Sequence, residues 1–172
     1  MSCCCDKEKL FNSGVLTEHG IQGAVLPPAD KWENKKGGLV VIECPKRIPC
    51  NPCATSCPTG AVLPFEDIND TPKIDYDKCT GCGICVSRCP GLACFVIDMS
   101  YAPDKAVIKL PYELMPKPEK GETVKCLDRM GEEVACGEVL AVTEPLHDRT
   151  FVVSVAIPKE LADSIRAVKV VR

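Results

Sequence analysis

Residues 79 to 90 read Cys-Thr-Gly-Cys-Gly-Ile-Cys-Val-Ser-Arg-Cys-Pro. The four cysteines follow one another at intervals of two, two and three residues: Cys79, Cys82, Cys85 and Cys89. Three thiolates on so tight a loop can wrap one face of a single metal centre, whereas the fourth lies beyond its reach. Gly81 and Gly83 allow the positive φ angles that such a loop requires. The run therefore predicts a metal site built on thiolates.

A second cysteine run lies upstream, at residues 44 to 58. Its last three cysteines keep the intervals of two and three residues, and it ends, like the first run, in a cysteine–proline pair. Its opening departs from the pattern, because the nearest thiol before Cys50 is Cys44, with five residues between them. A short insertion in the loop would still let Cys44 reach the same centre. The alternative is a site with three cysteines.

Both runs resemble those of the bacterial ferredoxins that carry two [4Fe–4S] clusters, and the resemblance covers residues 39–110. In these ferredoxins the fourth cysteine of each run serves the other cluster. The resemblance therefore implies that cluster 1 is bound by Cys44, Cys50, Cys53 and Cys89, and cluster 2 by Cys79, Cys82, Cys85 and Cys57. Without Cys44, cluster 1 would be a [3Fe–4S] cluster or a cubane with an outside ligand.

Two other uses of many cysteines compete with this interpretation. Zinc also favours cysteine pairs two residues apart, which would make the chain a zinc-organised structural or interaction module. A zinc site does not explain why a further cysteine follows after three residues in both runs, or why both runs end in a cysteine–proline pair. A disulfide framework is typical of secreted chains, whereas free thiols and low-potential clusters suit a reducing cytoplasm.

Charge and hydropathy argue against nucleic-acid binding and against a membrane-spanning segment. The 172 residues carry a net charge of −3 that is spread evenly, so no segment offers the basic face that nucleic acid requires. The longest apolar runs, such as residues 39–42 and 151–157, are too short to span a bilayer. We expect neither nucleic-acid binding nor a membrane span.

The pattern along the chain predicts three parts and an α+β fold. Residues 1–38 are interpreted as an arm, either a partly disordered tail or an extension that docks on a partner through Leu26 and Trp32. Residues 39–110 form the ferredoxin-like two-cluster domain. The prolines at 111, 116 and 118 predict a linker, after which short strands predict a small antiparallel barrel or sandwich over residues 111–172.

Six cysteines and two histidines lie outside the predicted ligand sets. Cys94 is expected to be a small buried apolar residue. Cys126 and Cys136 are symmetric about Gly131, which predicts two buried thiols facing each other across a hairpin. An exposed tail is predicted for the adjacent thiols Cys3, Cys4 and Cys5, and a surface position for His19 and His147. No catalytic constellation and no phosphate loop is recognisable, so no catalytic residue is predicted.

A further resemblance rests on Ile-Glu-Cys-Pro-Lys-Arg-Ile-Pro-Cys-Asn-Pro-Cys (42–53), Cys-Pro-Gly-Leu-Ala-Cys (89–94) and Leu-Pro-Tyr-Glu (110–113). These strings are similar to the small iron–sulfur subunits of flavin-dependent amine or amino-acid dehydrogenases of the proline or hydroxyproline type. The resemblance implies an electron-transfer subunit that relays single electrons between a flavoprotein partner and an acceptor, in a hetero-oligomer. A diffusible ferredoxin is the alternative, but such carriers are typically very acidic, and this chain is nearly neutral.

Overall fold

The computed structural model of the chain describes residues 24–44, 47–145 and 150–171. The predicted tail thiols Cys3, Cys4 and Cys5 and the histidines His19 and His147 lie outside these ranges. Among the described residues, no helix is long and apolar enough to cross a bilayer.

Strands dominate the described chain. The eight strands are β1 (Ala24–Val25), β2 (Leu39–Glu43), β3 (Cys94–Asp98), β4 (Lys105–Tyr112), β5 (Thr123–Leu127), β6 (Glu133–Thr143), β7 (Phe151–Pro158) and β8 (Ala167–Lys169). The helices are short: α1 (Ala29–Asn34), α2 (Pro52–Thr55), α3 (Ile84–Arg88) and a 3₁₀ turn at Lys159–Leu161. Eight strands with a few short helices agree with the strand-rich part of the predicted α+β fold.

All eight strands form one antiparallel sheet in the order β1-β2-β3-β4-β7-β6-β5-β8. The β strands predicted within residues 111–172 do not form a sheet of their own, since β4 pairs with β7 along its whole length, from Lys105 with Pro158 to Tyr112 with Phe151. The predicted linker begins inside β4, because Pro111 pairs with Val152. Proline is tolerated there because β3 pairs with β4 only as far as Lys109, which leaves Pro111 a strand partner on one side only.

Residues 24–38 are not a free arm. β1 pairs with β2, and α1 packs part of the Trp32 side chain against the main hydrophobic core. Leu26 is exposed. The first part of the predicted arm lies outside the described residues.

The central strands are buried on both faces. In β2, Val41 packs into the main core on one face, while Val40 and Ile42 pack on the other face against the two cysteine loops. β3 repeats the alternation, with Phe95 and Ile97 in the main core. The sheet therefore separates a large aliphatic core, which the C-terminal strands complete, from the layer that holds the cysteines.

The prediction for Cys126 and Cys136 is half right. Cys126 is fully buried, but Cys136 is exposed. Cys126 pairs with Ala135, and Cys136 pairs with Lys125, because a bulge between Cys126 and Leu127 shifts the register of the hairpin by one residue. A shift of one residue places a side chain on the opposite face of the sheet.

Candidate metal centre

The two cysteine loops bracket two cavities on one face of the sheet. The first is lined by Cys57, Cys79, Cys82 and Cys85. The second is lined by Cys44, Cys50, Cys53 and Cys89, with Cys94 beside them. The structure thus brings together the same groups of cysteines that the ferredoxin resemblance implies, including the exchange of Cys57 and Cys89.

Apolar side chains supply most of the remaining lining. Val40, Val62 and Val96 face the first cavity, and Ile42 and Phe65 face the second. Four thiols on a mostly apolar wall suit a [4Fe–4S] cluster, whose potential depends on exclusion of water and on hydrogen bonds to sulfur. In the part of the chain that the structure describes, no three cysteine, histidine or acidic side chains converge on a point where a single metal ion would sit.

Glycines shape the loop around the first cavity. Gly81 and Gly83 have φ angles of 64° and 90°, which confirms the prediction of positive φ at both positions. Gly83 is the residue before α3. Gly81 packs so closely on the start of β2 that a Cβ built there would lie 2.2 Å from the carbonyl oxygen of Gly38.

Two lysines fix this loop from outside, and sequence reasoning missed both. The ammonium group of Lys35 donates hydrogen bonds to the carbonyl oxygens of Tyr76 (2.5 Å) and Cys79 (2.6 Å). The ammonium group of Lys109 donates to the carbonyl oxygen of Gly81 at 2.6 Å. These partners are separated by at least 28 residues along the chain, so no local sequence signal points to them. The two lysines place positive charge beside the loop that carries Cys79 and Cys82.

The cysteines differ in exposure. Cys79 and Cys85 are buried, whereas Cys82 is exposed, so the first cavity has one edge at the surface. All four cysteines around the second cavity are half-buried. Exposed Ile48 lines that cavity. Exposed Ile68 lies beside it, since its carbonyl oxygen accepts a hydrogen bond from the N–H of Cys50. The second cavity therefore has an apolar rim.

The thiols also differ in acidity. Burial, aided by the neighbouring Cys89, raises the pKa of Cys53 to about 11. A hydrogen bond with Cys94 lowers the pKa of Cys89 to about 6, against the effect of burial, and the Ala93 N–H donates to the Cys89 sulfur at 3.3 Å. Donors of this kind stabilise thiolates, which are the form of cysteine that binds iron.

Comparison with known proteins agrees with this geometry. Residues 46–93 match the family model described as a 4Fe–4S dicluster domain, a range that includes every predicted ligand except Cys44. The PorD subunit of pyruvate synthase from Methanocaldococcus jannaschii is 36% identical over 74 residues, which cover 41% of this chain and 84% of that protein. The same subunit from Methanothermobacter marburgensis is 36% identical over 70 residues, which cover 38% and 79%.

The beta subunit of dissimilatory-type sulfite reductase from Archaeoglobus fulgidus is 48% identical over 95 residues, which cover 55% of this chain and 23% of that protein. No solved structure gives a significant match. The fold and the cysteine-ringed cavities define an iron–sulfur electron-transfer subunit of the kind found in oxidoreductase complexes. The chain belongs to the 4Fe–4S dicluster family represented by these PorD subunits, and it binds two [4Fe–4S] clusters.

Proposed function

We propose that the chain is the electron-transfer subunit of a flavin-dependent oxidoreductase complex. The observation that carries the proposal is that one short helix, α3, connects two cavities that are each lined by four cysteines. Cys85 of this helix lines the first cavity, and Cys89, which follows the helix, lines the second. Bound [4Fe–4S] clusters supply one-electron transfer. The protein binds them, excludes water and keeps them close enough for exchange.

The proposal includes the ligand sets. Cluster 1 is assigned to Cys44, Cys50, Cys53 and Cys89, and cluster 2 to Cys79, Cys82, Cys85 and Cys57. The shared cavities support both sets, and they support Cys44 in particular, because it lines the same cavity as Cys50 despite the longer interval between them.

A flavoprotein is the proposed partner because a flavin is reduced by its substrate in a two-electron step and can pass the electrons on one at a time, whereas iron–sulfur clusters accept single electrons. The resemblance to subunits of proline- or hydroxyproline-type dehydrogenases supports this finer form of the proposal. The apolar rim at the second cavity, Ile48 and Ile68, supports contact with another protein. A reducing compartment, the cytoplasm, is part of the proposal, since it keeps the ligand thiols reduced.

Iron and acid-labile sulfide are expected at about eight of each per chain in anaerobically purified protein, because two cubanes contain that number. Elemental analysis and a sulfide assay on the same sample check this. About four of each would mean that only one of the two ligand sets is filled. Zinc without sulfide would overturn the electron-transfer function.

Replacing Cys44 with alanine is expected to leave cluster 1 as a [3Fe–4S] cluster or to lose it, because one iron then has no thiolate. Cluster 2 should be unaffected. Electron paramagnetic resonance distinguishes the two cluster types, and Cys136→Ala is the matched control, since Cys136 is an exposed cysteine away from both cavities. Two intact cubanes in Cys44→Ala would remove Cys44 from the ligand set.

Purification from the native source under anaerobic conditions tests the partner. A stoichiometric flavin-containing protein is expected. The similarity to PorD favours a second candidate, the iron–sulfur subunit of a pyruvate synthase complex, and a partner without flavin that oxidises a 2-oxoacid would establish it instead. A lone monomer would indicate a diffusible ferredoxin.

A further inference from the structure

Two lysine side chains reach the loop of cluster 2 from distant parts of the chain. Lys109 lies on β4 and pairs with Val96 of β3, which lines the first cavity. Its ammonium group donates a hydrogen bond to the carbonyl oxygen of Gly81 at 2.6 Å, and that of Lys35 donates to the carbonyl oxygen of Cys79 at 2.6 Å. Both ammonium groups therefore contact the backbone of the loop that carries three of the proposed ligands of cluster 2.

These two positive charges are in excess at the loop. No ion pair among the described residues involves Lys35 or Lys109. The carboxylates that precede the loop, Asp75 and Asp77, pair with other lysines. Lys35 and Lys109 are half-buried, so water and salt screen their charges only in part.

Charges beside the second cavity are balanced or exposed. Asp70 lines that cavity and pairs with Arg47 at 3.2 Å. Arg88 is exposed, so solvent screens its charge. The two arginines that lie against the end of β2 are bound to Glu43. In the part of the chain that the structure describes, no half-buried cation beside this cavity lacks an acidic partner, in contrast to the loop of cluster 2.

We propose that the ammonium groups of Lys35 and Lys109 raise the reduction potential of cluster 2 above that of cluster 1, so that a single electron on the chain resides at cluster 2. The inference rests on the proposed ligand sets. A nearby positive charge stabilises the reduced form of a cluster, which carries one more negative charge than the oxidised form. One electron moves: cluster 1 is oxidised as cluster 2 is reduced, and no covalent bond or proton changes place. The two lysines are positioning residues, because they contact backbone groups of the loop.

Redox titration of the cluster-loaded protein, monitored by electron paramagnetic resonance, tests the proposal on three variants of Lys109. In Lys109→Met and Lys109→Gln, which remove the charge, the higher of the two potentials should fall by about tenfold in the equilibrium constant, or about 59 mV for one electron. The lower potential should change by less. Lys109→Arg keeps the charge and should retain most of the parent value. Recovery of the parent potential in Lys109→Gln would overturn the proposal, since glutamine keeps a hydrogen-bond donor but no charge.

Lys105→Met is the matched control for the loss of charge. Lys105 lies on the same strand and the same face as Lys109, about 13 Å away at the rise of a strand. It is exposed and lines neither cavity. Both potentials should stay unchanged, because this separation exceeds the Debye length of about 8 Å at physiological ionic strength. An equal fall in Lys105→Met and Lys109→Met would overturn the proposal, because net charge alone would then set the potential.

Cys44→Ala assigns the two potentials to the clusters. This variant is expected to lose the reduced [4Fe–4S] signal of cluster 1, so the [4Fe–4S] signal that remains belongs to cluster 2. It should titrate at the higher of the two parent potentials. A remaining signal at the lower potential would make cluster 1 the better acceptor and the proposal wrong.

The outcomes separate this inference from the proposed function. About eight irons per chain with unchanged potentials in Lys109→Met would overturn the role of the lysines and leave the two-cluster function standing. Fewer irons in the parent protein would instead contradict the proposed function. If Lys109→Met fails to assemble cluster 2, Lys35→Met tests the same charge effect, because Lys35 contacts other carbonyl groups of the loop. The higher potential should fall there too, and an unchanged value would overturn the proposal.

Discussion

Gly81→Ala is expected to cost the protein cluster 2, and with it about half of its iron. Alanine at this position faces two obstacles. The φ angle of 64° disfavours any residue with a Cβ, at about 1–2 kcal/mol. In addition, the Cβ would lie 2.2 Å and 2.7 Å from the carbonyl oxygen and carbon of Gly38. These are backbone atoms at the start of β2, so the loop that carries Cys79 and Cys82 must move.

Gly60→Ala is the matched control for this experiment. Gly60 has the same φ angle of 64°, but a Cβ built there meets no atom within 4 Å. Gly60→Ala should therefore lose only the stability that the unfavourable φ angle costs, about 1–2 kcal/mol. It should keep about eight irons. Iron content and the thermal midpoint of both variants, measured side by side, separate backbone strain from the contact with Gly38. Equal iron content and equal midpoints would show that the loop can accommodate the extra atom.

Glu43→Gln is expected to lower the free energy of unfolding by about 3–5 kcal/mol, the range for removal of one partner from a buried ion pair. The Glu43 carboxylate accepts hydrogen bonds from Arg166 at 2.8 Å and from Arg129 at 2.5 Å and 3.1 Å. Its side chain is 6% exposed and that of Arg166 is 5% exposed. Glutamine keeps the shape but leaves the two arginines with only the exposed carboxylate of Asp163 to compensate their charge.

Chemical denaturation of the cluster-loaded protein measures this loss. Glu133→Gln is the control, because Glu133 pairs with Lys125 at the surface and should show no measurable effect. Burial alone would raise the pKa of Glu43, but Arg129 and Arg166 outweigh burial and hold it below its ordinary value. The contribution of the Glu43 carboxylate to the free energy of unfolding is therefore complete above about pH 4.3, the pKa of an ordinary glutamate. It is lost as the pH falls through the lower pKa of Glu43 in the folded protein. Equal losses of unfolding free energy in Glu43→Gln and Glu133→Gln at neutral pH would contradict the importance of the ion pairs of Glu43 with Arg129 and Arg166.

The cysteine intervals predicted more of the site than of the fold. Interval and glycine placement are local properties, and together with the ferredoxin resemblance they predicted the two groups of thiols that line the two cavities. They do not reveal the lysines at 35 and 109, since these reach the loop from elements distant in sequence.

The sequence misled where proline and symmetry were used as guides. Pro111 and its neighbours predicted a linker, but a proline in a strand with one partner costs little, and the strand continues. Symmetry about Gly131 predicted facing thiols, but one bulge residue is enough to reverse the faces. Neither outcome depends on composition, and both depend on pairing with strands elsewhere in the chain.

The continuous sheet also bears on solubility. β4 is an interior strand only because β7 pairs with all eight of its residues. Its side chains at Ala106, Ile108 and Leu110 are at most 1% exposed. If the chain ended at residue 110, this strand would present a long, apolar edge with unpaired backbone groups, a surface on which protein molecules associate strand to strand. The C-terminal residues therefore protect the iron–sulfur half of the molecule from aggregation, whatever else they contribute.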